Sequence, residues 1–333
     1  MIRALALALP LAVALTATPP AHANVSEAVA DHILPRVHSF AVQSRALSVN
    51  ADADCTAEGV RPSFHNAFDA WMGISHLAFG PLEEEGRALA IAFWPDKRGM
   101  VAATVATLVA EEDDAVAEES AFAQVSVAGR GLFALERLLY DPAHAGYGRE
   151  SYTCRLVQAI ARDLSRMAGE IDRDWAAHGP LMLTAGEAGN TTYLAPKEAV
   201  QRLYTAMMAG LEFDADQRLG RPLGTFDRPR PERAEARRSA RSLRNLVLSL
   251  EALRDLAVTL ADGPVPATEA AFDQALAQAE DLQDPVFGSV AEPSGRLKVE
   301  IVQQSVRAIE AAVAAEIGVQ LGVAAGFNSA DGD

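Results

Sequence analysis

Apolar residues recur at every third or fourth position through most of the chain after residue 24, which is the spacing of amphipathic helices. The longest such stripe runs from Leu243 to Leu260, with apolar side chains at i, i+3, i+4, i+7, i+10, i+13, i+14 and i+17. No segment alternates with a period of two for long enough to predict a strand. The pattern therefore predicts an all-α fold, with helices over residues 25–49, 61–79, 98–110, 120–140, 147–177, 196–213, 231–261, 266–281 and 294–321.

A glycine-rich stretch from His178 to Thr192 separates two long helical regions. Because glycine at this density disfavours helix, we expect two packed helical bundles joined at this point. The predicted first bundle covers about residues 24–177, the link residues 178–195, and the second bundle about residues 196–322. Residues 323–333 are predicted to be a flexible tail.

The first 23 residues have the three parts of a secretory signal peptide. Arg3 gives a positively charged start, residues 4–15 form an apolar run, and the sequence Ala-His-Ala at 21–23 is a cleavage site. The apolar run is too short to span a bilayer, and no later segment approaches twenty consecutive apolar residues. We therefore expect a cleaved signal peptide, a mature chain without a transmembrane segment, and a location in the periplasm.

The 333 residues include 29 lysines and arginines and 45 aspartates and glutamates, which gives a formal charge of −16. A chain this acidic is not expected to bind nucleic acid, because binding to phosphates depends on positive charge. Half of the residues are hydrophobic, which excludes an intrinsically disordered chain. Motifs for zinc proteases (H-E-x-x-H), dinucleotides (G-x-G-x-x-G), P-loops and EF-hands are absent from the sequence.

Positive charge is concentrated between Arg218 and Arg244, where nine arginines accompany three acidic residues. Two interpretations stay open. In the first, these arginines pair with acidic runs elsewhere, such as residues 83–85. In the second, they bind an anion or a carboxylate, because the guanidinium group offers a fixed fork of donors.

The chain has two cysteines, Cys55 and Cys154. An exported protein meets an oxidising compartment, where a lone pair of cysteines usually closes a disulfide. We therefore predict one structural disulfide between them. No C-x-x-C spacing indicates a redox role.

Glu136 is the most unusual acidic residue of the sequence, because on a helical wheel it falls in an apolar arc that includes Leu132 and Leu139. Burying an unpaired carboxylate is costly, so Glu136 needs a partner or a raised pKa. We expect Arg130 or an arginine of residues 237–244 to balance its charge. The two interpretations are a buried ion pair that fixes helix register and a ligand or metal site.

His65, Asp69 and His76 form a polar strip on the predicted helix 61–79, within about 40° of one another. The two histidines are about 16 Å apart along the helix axis, so one metal ion cannot contact both. We expect either a hydrogen-bonded seam between helices or contact of Asp69 and one histidine with a metal or ligand.

Ser239 and Ser242 lie just before the leucine stripe, inside the arginine-rich region 218–244. Ser239 continues the apolar face of the predicted helix, so its hydroxyl group needs a partner, and a buried carboxylate from another helix would serve. Neither serine lies in a G-x-S-x-G nucleophile motif, and no catalytic residue is assigned.

Four different sequence features occur together in this chain. They are a tryptophan-bearing helix that leads into F-G-P, a segment like G-x-H-x-x-E, a long helix that starts at a cysteine, and a helix start of the form S-x-x-S-L. In this sequence they are Trp71 to Pro81, Gly131 to Glu136, Cys154 to Trp175 and Ser239 to Leu243. Together they resemble the imelysin-like family of bacterial proteins. Phe133 stands where the family motif has histidine.

The resemblance implies an exported, all-helical protein associated with iron uptake, with a site in the crevice between two packed bundles. The founding member was classed as a metallopeptidase, with the motif histidine and glutamate as proposed metal ligands. Phenylalanine cannot replace an imidazole ligand, so we do not expect zinc peptidase activity here. The positions of this motif in the sequence are Gly131, Phe133 and Glu136, and Phe133 is the one that departs from it.

Our functional hypothesis is a non-catalytic periplasmic binding component connected with iron acquisition, which holds iron, another divalent metal or a small ligand in this crevice. One alternative is a metallopeptidase of the imelysin type. Another is a structural protein that docks on an envelope iron-transport or redox protein. The candidate binding residues are Glu136, His76, Asp69, Arg130, Ser239, Ser242 and Arg241.

Overall fold

The computed structural model describes residues 24–324, and over this range the chain consists of helices joined by turns and loops. The all-α fold is confirmed, since residues 24–324 contain no strand and only an isolated bridge between Thr225 and Arg228. The helices of ten or more residues in this range are α1 (Leu34–Ala53), α2 (Ala57–Met72), α3 (Met100–Glu111), α4 (Gly131–Tyr140), α5 (Tyr152–Leu183), α6 (Pro196–Glu212), α7 (Ser242–Leu260), α8 (Pro266–Leu282) and α9 (Pro293–Val313).

Shorter helical turns extend or connect these helices. The π-helical turns are Ala28–Ile33, Phe213–Leu219 and Ala314–Gly318. The short α-helices are Val25–Glu27, Arg87–Ile91, Glu119–Phe122, Gly220–Leu223 and Val319–Leu321. The 3-10 turns are Gly80–Leu82, Glu84–Gly86, Asp114–Ala117, Val127–Gly129, Pro231–Arg233 and Gly288–Ala291. None of the helices between residues 24 and 324 combines the length and the apolar character needed to cross a membrane.

The long helices pack as two bundles. In the first, α1 lies along α5 and α2, and α4 packs on α2 and α5. In the second, α7 packs on α6 and α8, and α9 packs on α6 and α8. α7 also contacts α2 and the turn Ala28–Ile33, and buried apolar side chains of both bundles belong to one continuous core. The two bundles therefore meet along α7, the helix of the leucine stripe.

The predicted single helix over residues 120–140 is wrong. The chain forms the short helix Glu119–Phe122 and the turn Val127–Gly129, and α4 starts only at Gly131. Gly131 has a φ of +66°, and a Cβ atom there would lie 2.2 Å from the carbonyl oxygen of Ala90. Only glycine tolerates this backbone conformation and this close approach, so the helix cannot continue through the position.

The predicted helix over residues 231–261 is correct only from Ser242 onward. Residues 234–241 are not helical, and Ala236 and Ala240 have positive φ values of 45° and 57°. A left-handed conformation costs a non-glycine residue about 1–2 kcal/mol. We call residues 234–241 the arginine segment. Its side-chain contacts, described below, stabilise this conformation.

The link between the bundles is shorter than predicted, because α5 continues through Pro180 to Leu183, six residues beyond the predicted end at 177. The non-helical connection runs from residue 184 to residue 195, and Pro196 occupies the first turn of α6. The predicted signal peptide, residues 1–23, lies outside the described residues. So do residues 325–333, which make up most of the predicted tail.

The predicted disulfide between Cys55 and Cys154 is present and ties the start of α2 to the first turn of α5. It closes a loop with a sequence separation of 99 residues.

Replacing both cysteines, Cys55→Ala and Cys154→Ala, should lower the free energy of unfolding by about 4–5 kcal/mol, because the unfolded chain regains the entropy of that loop. Urea denaturation measures the change. Reduced wild-type protein should unfold near the midpoint of the double variant. Equal midpoints for the oxidised wild type and the variant would show that the disulfide does not stabilise the fold.

Candidate functional site

Glu136 lies in the second turn of α4 and is 2% exposed. Its Oε1 atom accepts two hydrogen bonds from Ser239, one from the backbone N–H at 2.9 Å and one from the hydroxyl at 2.9 Å. Burial raises the pKa of this carboxyl group, and the two bonds from Ser239 oppose the rise. The carboxylate from another helix that the sequence predicted for the Ser239 hydroxyl is therefore Glu136.

Of the two partners expected from the sequence, Arg130 or an arginine of residues 237–244, Arg130 does not balance the charge of Glu136. Its guanidinium group binds the buried carboxylate of Asp163 at 2.8 and 3.1 Å and the carbonyl oxygen of Ala123 at 2.9 Å. The arginine whose positive charge acts on Glu136 is Arg238, in the arginine segment. Sequence reasoning missed Asp163 because α5 approaches α4 only in the folded chain.

Arg241, at the end of the arginine segment, is 1% exposed. It forms an ion pair with Asp69 on α2 and donates to His65 Nδ1 at 2.9 Å. Arg244 also contacts Asp69, with its Nε atom 2.8 Å from Oδ1. Burial raises the pKa of Asp69, but the hydrogen bonds from Arg244 and Arg241 outweigh it and the net pKa is lowered. Asp69, which is partly exposed, therefore ties the arginine segment to the first bundle.

Glu235 anchors the other end of the arginine segment to the second bundle. Its Oε2 atom accepts hydrogen bonds from Arg218 Nε at 2.9 Å and from Asn245 Nδ2 at 3.0 Å, and its carbonyl oxygen accepts one from the Ser242 hydroxyl at 2.6 Å. Arg218 is also paired with the fully buried Asp214, whose pKa burial raises to about 6. Sequence reasoning missed this network, although the i, i+4 spacing of Asp214 and Arg218 was a signal for it.

His65 and Asp69 both contact Arg241, whereas His76 lies in a separate contact. His65 Nε2 lies 2.7 Å from the Tyr140 hydroxyl. His76 lies beyond the end of α2 and is paired with His32, with their Nε2 atoms 2.9 Å apart. The strip is thus a set of separate hydrogen-bonded contacts between helices, which is the seam interpretation.

The buried His32 and His76 form a relay that ends at the partly exposed Asp255, whose Oδ2 atom lies 2.7 Å from His32 Nδ1. Arg36 contacts the same carboxylate oxygen at 2.9 Å, and Arg218 is a further positive charge near His76. Burial lowers the pKa of both histidines, and that of His76 falls well below its usual value. The relay joins the first bundle to α7.

A pocket of about 210 Å³ opens beside Glu136, and we call it the arginine pocket. Its walls come from α4, from the loop that follows Ile91, and from the region between Arg221 and Arg238. The lining residues are Phe93, Trp94, Asp96, Gly99, Val101, Ala102, Phe133, Glu136, Arg137, Arg221, Glu232, Arg233, Ala234, Ala236, Arg237 and Arg238. Of the candidate site residues, it contains Glu136 and Phe133 alone.

The pocket wall carries five arginines and three acidic residues. Asp96 is occupied as a helix cap, because it accepts the backbone N–H groups of Met100 and Val101 at 2.8 and 2.9 Å. Arg137 and Arg238 share a single carboxylate, Asp141, at 3.3 and 3.4 Å. The wall therefore has an excess of positive charge.

The other three arginines of the pocket, Arg221, Arg233 and Arg237, form no ion pair with any residue between 24 and 324. Burial lowers the pKa of Arg221, and the neighbouring charge of Arg233 lowers it further. Burial and Arg238 act in the same way on Arg137. In both cases burial is the larger cause and the neighbouring arginine is the smaller one, and for Arg137 the charges of Asp141 and Glu136 oppose the shift. Four of the five pocket arginines lie in the arginine-rich region 218–244 described from the sequence.

A model of the protein family Imelysin matches residues 33–313 of this sequence. The chain belongs to the imelysin family. Iron-regulated protein A of Synechococcus elongatus is 24% identical over 195 residues, which make up 56% of this chain and 49% of that protein, so the match spans about half of the relative's length. A solved imelysin-like protein from Psychrobacter arcticum shares the fold, with 18% identity, a TM-score of 0.78, and coverage of 93% of this chain and 99% of that one.

The resemblance to the imelysin family implies a metal held by a motif histidine and glutamate, and the residues of this chain do not fit such a group. The histidine position is Phe133, whose ring packs edge-on against Phe68 with centroids 5.6 Å apart. Glu136 already accepts two hydrogen bonds, and its surroundings are guanidinium groups that repel cations. Within residues 24–324, no group of three or more His, Cys, Asp or Glu residues could hold a metal ion.

Removing the hydroxyl group in a Ser239→Ala variant should lower the free energy of unfolding by about 1–3 kcal/mol, because it leaves a buried carboxylate with one donor fewer. Urea denaturation measures the loss. Ser120→Ala, at an exposed serine, is the matched control and should stay within about 0.5 kcal/mol of wild type. A loss no larger than that of the control would contradict the assigned contact.

Acidification below about pH 6.5 should destabilise the protein through His32 and His76, because the folded chain binds fewer protons there than the unfolded chain. Each such group lowers the free energy of unfolding by up to about 1.4 kcal/mol per pH unit. Urea denaturation between pH 8 and pH 5 should show a shallower loss for His76→Gln, which keeps a donor but does not titrate. Parallel pH profiles for variant and wild type would contradict the assigned relay.

Proposed function

We propose that this protein is an exported, non-catalytic binding component that takes a small anionic ligand in the arginine pocket and serves iron acquisition. The observation that carries the proposal is the charge of the pocket wall, where Arg221, Arg233 and Arg237 have no ion-pair partner between residues 24 and 324. A guanidinium group binds carboxylate and related oxyanions through two parallel hydrogen bonds. An anion in the pocket would supply the missing counter-charge.

Two residues position this site rather than bind the ligand. Glu136 and Ser239 hold the arginine segment against α4, and Arg237 and Arg238 on that segment face the pocket. The ligand's oxygen atoms would be held by Arg237 and Arg238 from one side and by Arg221 and Arg233 from the other. No residue of the pocket is arranged as a nucleophile with an adjacent base.

The iron connection is supported by the name of the Synechococcus relative, Iron-regulated protein A. Because positive charge at the pocket disfavours a bare cation, iron would enter as a complex with an anionic chelator, or the chelator would enter alone. The proposed periplasmic location is supported by the signal-like residues 1–23 and by the disulfide between Cys55 and Cys154, a bond typical of oxidising compartments.

The test is a titration of the purified protein with citrate, ferric citrate and benzoate at fixed ionic strength. Arg237→Gln should weaken the binding of each anion that binds by about tenfold or more, because it removes a charge-assisted hydrogen bond of about 1.5–3 kcal/mol. Isothermal titration calorimetry measures the affinities. Arg45→Gln changes an exposed arginine outside the pocket and should leave them unchanged.

The proposal fails if none of the three anions binds, or if Arg237→Gln and Arg45→Gln have equal effects. Tighter binding of ferric citrate than of iron-free citrate would support the iron connection. Binding of free Fe³⁺ or Zn²⁺ that Glu136→Gln abolishes would instead support a metal site at this glutamate.

A further inference from the structure

The arginine pocket has aromatic walls as well as positive charge. Phe93, Trp94 and Phe133 line it, and Phe93 and Trp94 are only partly buried against the core. An anion such as phosphate or citrate would use the arginines and leave this flat apolar surface in contact with water. The surface suits a ligand that has a ring next to its charge.

Trp94 is held in a fixed position at the pocket. Its ring packs edge-on against Phe213, with centroids 5.7 Å apart. The guanidinium carbon of Arg221 lies 5.9 Å from the Trp94 ring centroid, within the range of a cation–π contact. The guanidinium group of Arg221, which has no ion-pair partner in the described part of the chain, therefore lies over the indole ring of Trp94 in one wall. A ring with an anionic substituent could contact both at once.

The size of the pocket limits the ligand further. Pockets that hold drug-sized molecules measure about 300–1,000 Å³, and this one measures about 210 Å³. This volume favours one ring with one or two short anionic groups over a large multi-ring chelator.

We propose that the ligand of the arginine pocket is a small aromatic anion, a single ring carrying a carboxylate or phenolate group. The ring lies against Trp94 and Phe93, and the anionic oxygens bind Arg237 and the neighbouring arginines. This inference rests on the proposed function, because it specifies which class of anion the pocket prefers.

The test compares benzoate with cyclohexanecarboxylate, two ligands of equal charge and similar size that differ in aromaticity. In wild-type protein, benzoate should bind about two- to twelvefold more tightly, the range that an aromatic pair contributes beyond its buried area. Ligand-observed NMR titration at fixed pH and ionic strength measures both dissociation constants. Citrate and phosphate are titrated alongside as anions without a ring.

Two variants assign the preference to Trp94. Trp94→Leu should clearly reduce the difference between benzoate and cyclohexanecarboxylate, because only Phe93 then remains against the ring, while both ligands still bind through the arginines. Trp94→Phe keeps an aromatic face and should retain most of the difference. Arg45→Gln should leave the ratio at the wild-type value.

Equal affinities of benzoate and cyclohexanecarboxylate in wild-type protein would overturn this inference, and so would a preference in Trp94→Leu as large as that of wild type. In either case, binding of citrate or phosphate through Arg237 would leave the proposed anion pocket standing. If no anion of the set binds, the proposed function fails and this inference fails with it.

Discussion

The hydrogen bonds between Glu136 and Ser239 are the contact on which the rest of the site depends. A buried carboxylate without donors is strongly unfavourable, so α4 requires a partner at this point. The partner is a backbone N–H and a hydroxyl from a segment that is not helical. This contact fixes residues 234–241 against the first bundle and places Arg237 and Arg238 at the pocket.

The same segment is anchored at both ends by ion pairs, one fully buried and one partly buried. Glu235 binds Arg218 in the second bundle, and Arg241 binds Asp69 in the first. Buried ion pairs contribute little net stability because of desolvation, but breaking one is costly. These pairs therefore act mainly to specify one arrangement of the bundles. They also compensate for the positive φ values of Ala236 and Ala240. Both bundles thus determine the shape of the pocket.

The sequence predicted the fold well, because the 3.6-residue apolar period reports directly which face of a helix is buried. It also identified Glu136 and Ser239 as buried polar residues that need partners. It failed where tertiary contacts override local pattern. The leucine stripe continues upstream through Ser239, yet buried side-chain bonds keep residues 234–241 out of the helix. Arg130 is paired with Asp163, and His76 is paired with His32. These residues are far apart in the sequence, and only the folded chain brings them together. Trp94 gave no signal, since a half-buried tryptophan in a loop has no periodic neighbours.

Phe133 stands at the position where the resemblance predicts a histidine, and the pocket beside it has an aromatic and cationic wall. Glu136 holds the arginine segment in place, and amide hydrogen exchange measures how firmly it does so. The Ser239 amide and its neighbours in residues 234–241 should exchange as slowly as α4 in wild-type protein and much faster in Glu136→Ala. If this segment in wild-type protein exchanges as fast as the connection 184–195, Glu136 does not hold it in place.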